Sequence, residues 1–209
     1  RYLLRIETSN RALFDYLHSG KGGAQKTWEA RLESLALLRR LGYQVGTGVM
    51  IGIPGQTSED LVCDIRTFEA LDADMLGMGP YLVSHGGDMV ADGMMQKGPL
   101  LRLTRNMLSA TRLALPTVNI AAATALETLV SGGRALGVLS GCNVIMPNVT
   151  PQRTRASYQL YDNKQGTESE ADSNVLLERE LESVTGRTIG RERLGSSPHF
   201  RSRTNKPAD

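Results

Sequence analysis

The sequence predicts an α/β protein built on parallel strands, and three observations carry that reading. Short apolar, strand-like runs alternate with amphipathic helical stretches five times. Most runs end in glycine, proline or a polar cap immediately before the next helix. The composition is that of an ordinary globular protein, with 40% apolar and 22% charged residues in 209. Alternation of this kind means parallel strands joined by helical crossovers. Five units fit either an open doubly wound sheet or five-eighths of a (β/α)8 barrel.

Each element has its local reason. Leu3 to Glu7 is the first strand, followed by a helix over about Arg11 to His18. Thr27 caps a helix from Trp28 to about Leu41, with Trp28, Leu32, Leu35 and Leu38 on one face, and Gly42 stops it. Val45 to Ile53 is a buried strand broken by Gly52, Pro54 and Gly55. Thr57 caps the next helix, whose first turn holds Glu59 and Asp60, where the helix dipole favours acids. Asp74 to Gly79 is a strand, and Tyr81 to Gly98 a long Gly-rich loop. Pro99 starts a helix that Pro116 ends. Asn119 to Ala123 is a strand followed by helix interrupted at Gly132 and Gly133. Asn143 to Met146 is the fifth strand. Three regions follow: residues 1–161 as the barrel-like part, 162–185 as polar linker and short helix from Asn174 to Val184, and 186–209 as a basic, mostly disordered tail.

Several function classes are excluded at this level. A net charge of +2 is too small to imply nucleic acid as a partner. No apolar run reaches membrane-spanning length. Cys63 and Cys142 make neither a disulfide framework nor a metal ladder, and they fit a reducing compartment. No GxxxxGK[ST] or GxGxxG occurs, which argues against a P-loop or a Rossmann site. The chain opens in strand pattern without an initiator Met, so a fragment is expected.

Chemistry concentrates at the strand ends. Leu3, Arg5 and Glu7 share one strand face, and two opposite charges there break the apolar rule for buried parallel strands. They are either a structural ion pair or part of a ligand site, because ligands in such folds bind at the C-terminal strand ends. Arg31, in the first turn of its helix, is either part of the same mouth or an exposed helical arginine. Met75, Gly77 and Gly79 share one face, as do Ala121 and Ala123. Residues that small leave either room for a ligand or room for close packing. Tyr158 and Tyr161 lie three apart on one helical face.

Six segments, YLLRIETSN, GTGVMIGIPGQT, ADMLGMGP, NIAAATAL, NVIMPNVTP and SYQLY, occur in order from residue 2 to about residue 161. Together they resemble the C-terminal two-thirds of the HydE family, the radical S-adenosylmethionine maturases of [FeFe] hydrogenase. IPGQT alone is shared with the wider biotin synthase-like group. The resemblance implies a partial (β/α)8 barrel, strands four to eight. It implies two cofactors, S-adenosylmethionine and a [4Fe–4S] cluster held by a Cys-x-x-x-Cys-x-x-Cys loop after the first strand. It implies a 5′-deoxyadenosyl radical, acting on a small organometallic or amino-acid-derived substrate, with other hydrogenase maturation proteins as partners. Location in the cytoplasm, or in a reducing organelle matrix such as a hydrogenosome or plastid, is expected. By position, Glu7 and Arg31 correspond to residues that hold S-adenosylmethionine, with Met146, Tyr158 and Tyr161 near it. Arg5, Met75 and Thr124 correspond to the substrate side of the cavity.

The sequence departs from the family in three places. The cluster cysteines are not in this chain, and neither are the accessory cysteines some relatives carry after SYQLY. Gly55 stands where many such enzymes have an acid. The fragment is therefore expected to be inactive alone, and poorly soluble because its first strand offers an open edge. Two other readings remain: a biotin synthase-like or methylornithine synthase-like enzyme, and a truncated, non-catalytic binding module.

Overall fold

Parallel pairing organises the chain. The computed structural model describes residues 1–18, 27–83, 93–147, 170–190 and 195–204. Its strands are β1 (Tyr2–Leu3), β2 (Val45–Thr47), β3 (Met50–Ile51), β4 (Met75–Pro80), β5 (Asn119–Ala122) and β6 (Val144–Ile145). They form one sheet in the order β1-β2-β4-β5-β6, with β3 also paired to β4, and every pairing is parallel. Helices α1 (Arg11–His18), α2 (Trp28–Arg40), α3 (Ser58–Ala70), α4 (Lys97–Ala114), α5 (Thr124–Leu129) and α6 (Gly133–Leu139) occupy the crossovers. Two more, α7 (Glu170–Thr185) and α8 (Pro198–Thr204), follow. The wall is that of a partial barrel.

Each strand divides its residues between two faces. Ile6, Val49, Ile51, Leu76, Met78 and Ile120 are fully buried and join Leu35, Phe68, Leu100, Leu108 and Leu126 in the main core. Met78 Sδ, for instance, accepts from Thr111 Oγ1 of α4. The alternate residues Arg5, Gly77, Gly79 and Ala123 therefore face inward. The small residues expected on that face are there, and their room is used. A methyl group on Gly77 would lie 3.7 Å from Arg5 Nη1, and one on Gly79 2.9 Å from Ala123 Cβ.

The run Val45 to Ile53 is not one continuous strand. β2 and β3 share one register with β4, Gly46 opposite Met75 and Met50 opposite Gly79, but the ladder opens at Gly48 and Val49. There the main chain lies so close to Gly77 that a Cβ on Gly48 would sit 1.9 Å from its carbonyl oxygen. The first strand is likewise shorter than Leu3 to Glu7. Its ladder covers Tyr2 and Leu3, and Glu7 adds an isolated bridge to Val49.

The exit at IPGQT is built by one side chain. Gln56 Oε1 accepts from the Gly52 and Ile53 amides at 2.7 and 3.4 Å, while its Nε2 donates to Met50 O at 3.1 Å. Gly52 and Gly55 both have φ above +80°, which only glycine adopts without strain. Thr57 and Asp60 then form a reciprocal capping box, a device worth about 1 kcal/mol.

The basic tail differs from its expectation. Residues 198–204 form α8, docked under the N-terminal ends of the strands. Arg203 pairs with Asp72 and with buried Asp74, and His199 reaches Asp72, which Arg39 also engages. Ser197 is fully buried. Composition predicted disorder because the acids that hold this segment lie more than 120 residues earlier. The preceding helix also starts earlier than Asn174, at Glu170.

Candidate functional site

Glu7 occupies the C-terminal end of the first strand in an unusual backbone state. Its φ is +62°, and the Thr8 amide donates to Ile6 O at 2.8 Å across it. A non-glycine residue in such a tight turn stores about 1–3 kcal/mol, and such strain clusters at functional sites. The segment after it is fastened to α3. The Ser9 amide donates to Asp64 Oδ1 at 2.6 Å, and Asn10 Nδ2 to Asp60 Oδ1 at 2.9 Å. Asp64 is fully buried, its other oxygen has no hydrogen-bond partner among the described residues, and burial raises its pKa to about 6.

The Glu7 carboxylate meets Arg5. Arg5 Nε donates to both oxygens at 3.0 Å, and Nη2 lies 2.9 Å from Oε2. Arg5 also donates from Nη1 to Gly77 O at 3.0 Å and from Nη2 to Val49 O at 2.9 Å. Arg31, in the first turn of α2, donates from Nη1 to Arg5 O at 2.5 Å and sits over the Phe14 ring at 5.7 Å. Glu7 and Arg5 therefore form an ion pair at the strand end, and Arg31 reaches the main chain of the same strand. Both partners of the ion pair remain partly in solvent, with side chains 31% and 22% exposed, so a ligand can reach them.

The other expected residues are distributed. Thr124 opens α5 directly after β5, and Met146 follows β6 and is exposed. Both belong to the same C-terminal edge of the sheet, but on strands farther along it. Met75 starts β4 at the opposite end, where it lines a cavity of about 540 Å³ with Asn119, Ile145, Leu181 and Ile189. Tyr158 and Tyr161 lie outside the described residues. Asp64 and Asn10 were not singled out from sequence. Asp64 did leave a signal, as an acid on the helical stripe of Leu61 and Phe68.

The Glu7 carboxylate can accept from hydroxyl or amino groups such as those of S-adenosylmethionine, and Arg31, whose other donors make no hydrogen bond among the described residues, suits a carboxylate. A [4Fe–4S] cluster does not fit. Cys63 is exposed on α3 and Cys142 is buried before β6, with burial raising its pKa to about 12. No group of three or more metal-ligating side chains exists among the described residues. Nor is any helix among them long and apolar enough to cross a membrane.

Comparison with known proteins bears on this geometry. No family model matches the chain. It is 39% identical over 192 residues to the [FeFe] hydrogenase maturase subunit HydE of Thermotoga maritima, an alignment covering 92% of this chain and 53% of that protein. The chain corresponds to the C-terminal part of a HydE-like protein. It spans about half the length of that HydE. The crystal structure of methylornithine synthase (PylB) superposes with a TM-score of 0.66 at 18% identity, over 90% of this chain and 52% of that one. That likeness concerns the fold, and it agrees with the partial barrel of this HydE-like chain.

Proposed function

We propose that this chain is the S-adenosylmethionine-gripping part of a radical enzyme that matures [FeFe] hydrogenase. The observation that supports it is the Arg5–Glu7 ion pair at the C-terminal end of the first strand, with Arg31 fastened to the main chain of Arg5. Glu7 accepts hydrogen bonds from ligand hydroxyl or ammonium groups, and Arg31 forks onto a ligand carboxylate. When bound, S-adenosylmethionine supplies a carbon-centred radical.

Reduction of that cofactor requires a cluster whose ligands are not among these 209 residues. The chain is thus inactive without a partner segment that carries them. The substrate is a small organometallic or amino-acid-derived molecule, and other maturation proteins are its partners. Calorimetry of S-adenosylmethionine binding to the reconstituted complete protein tests the reading. Glu7→Ala and Arg31→Ala each weaken binding by roughly tenfold or more. Unchanged affinity in both variants would remove the assignment.

A further inference from the structure

Arg5 is committed to the protein more fully than a ligand clamp can be. A guanidinium has five N–H donors. Here Nε donates to the Glu7 carboxylate, one Nη1 donor meets Gly77 O, one Nη2 donor meets Val49 O, and Nη2 is also ion-paired with Glu7 Oε2 at 2.9 Å. One N–H of Nη1 is left uncommitted among the described residues. Bidentate capture of an anion needs two adjacent donors. Arg5 can supply them only by releasing Glu7 or a strand.

The two carbonyls it holds have a further meaning. Gly77 belongs to β4 and Val49 lies between β2 and β3, at the place where the ladder opens. Gly77 has no side chain to fill the space the guanidinium enters. The opening is therefore bridged by Arg5 in place of direct strand pairing. The same fork presents Glu7, whose own main chain is joined to this seam. Glu7 N donates to Gly48 O at 3.0 Å, and Met50 N donates to Glu7 O at 2.9 Å. Arg31, by contrast, makes one hydrogen bond among the described residues, to the main-chain carbonyl of Arg5.

We propose that Arg5 is a positioning residue: it fixes the Glu7 carboxylate and the seam between β3 and β4, and it leaves the anionic end of the ligand to Arg31. This rests on the S-adenosylmethionine reading for the ligand's identity but not for the clamp itself. Glu7 retains lone pairs beyond those Arg5 occupies, so the ligand group it selects is a donor such as a hydroxyl pair.

A double-mutant cycle in the complete protein separates positioning from contact. Arg5→Ala and Glu7→Gln each lower S-adenosylmethionine affinity by roughly tenfold or more. The double variant binds no worse than the weaker single variant, because Arg5 acts through Glu7. Losses that multiply would mean direct contact and overturn the proposal. Arg5→Lys keeps the charge but loses the fork and does not restore affinity, whereas full restoration would overturn it. Ligand-free crystal structures supply the second readout. In Arg5→Lys the Glu7 carboxylate leaves its present place, and an unmoved carboxylate refutes the clamp. If Glu7→Gln leaves affinity intact, the ligand assignment fails, while the crystal structures still decide the clamp. Should Arg5→Ala not fold, Arg5→Lys takes its place in the cycle.

Discussion

The two ends of the same strands carry ionic clusters of opposite design. At the C-terminal end one carboxylate, Glu7, pairs with the Arg5 guanidinium on a backbone turned into the left-handed region, while Arg31 holds the main-chain carbonyl of Arg5. At the N-terminal end two carboxylates, Asp72 and Asp74, face Arg39, Arg203 and His199. The lower cluster is closed by the chain itself, since α8 returns across more than 120 residues to occupy it. The upper cluster leaves Arg31 with donors to spare and both charges of its ion pair partly in water. Charge at the lower end is closed within the fold, whereas charge at the upper end stays partly in water on a strained backbone.

The comparison can be broken most forcefully at the seam. Gly48→Ala would drive a methyl group into the Gly77 carbonyl, main chain against main chain, and is expected to cost about 3 kcal/mol or more. Denaturant titration should show that loss, and ligand affinity should fall with it. Wild-type stability would mean that the strands are not in close contact there.

Asp74→Ala attacks the opposite end. It strips Arg203 of a partner and leaves the Val45 amide without its acceptor. Because Arg203 is partly exposed, the expected loss is about 2 kcal/mol. Ligand affinity should not change, and a drop in it would show that the two clusters are coupled.

Asp64 sharpens the contrast through pH. Its folded pKa, about 6, lies above the ordinary carboxylate value, so the fold prefers the protonated acid. The stability this contributes is present at acid pH and is lost as pH rises through about 6. The whole shift corresponds to roughly 3 kcal/mol. Asp64→Asn keeps an acceptor for the Ser9 amide and should gain on the order of 1 kcal/mol at pH 8. Its melting temperature should be flat between pH 5 and pH 8, where that of the parent declines; a parallel decline in both proteins would refute this.

The smallest effect belongs to His199. Burial lowers its pKa, Asp74 opposes the shift, and Arg203 and Arg39 add to it. A depressed histidine favours the neutral form in the fold, so docking of α8 weakens as pH falls below the ordinary value of 6.5. Hydrogen exchange of residues 198–204 should quicken at pH 5 in the parent, and His199→Gln should lose that dependence.

Much of the fold was legible from local pattern. Alternation of apolar runs with helices gave parallel pairing, and Thr27, Gly42, Thr57 and Gly132 marked boundaries the structure keeps. The pairing of Arg5 with Glu7 was legible too, because parity along a strand puts both on one face, and Arg31 in the first turn of its helix reaches the same strand. Met75 was not, since parity gives a face and not a height: it lies on the inward face, but at the far end of β4. The docked tail was hidden for a different reason. A basic, glycine-rich stretch reads as solvated unless its acids are known, and Asp72 and Asp74 lie in another unit of the chain.

By itself, the sequence determined the class of fold, the strand faces and the residue types at the rim, because periodicity and capping act between neighbours. Tertiary structure alone decided how Arg5 spends its donors, where the ladder parts, and which charges are closed by the chain. Those depend on carbonyls and carboxylates brought within 3.1 Å across 44 to 131 residues, a matter of packing that no local pattern encodes.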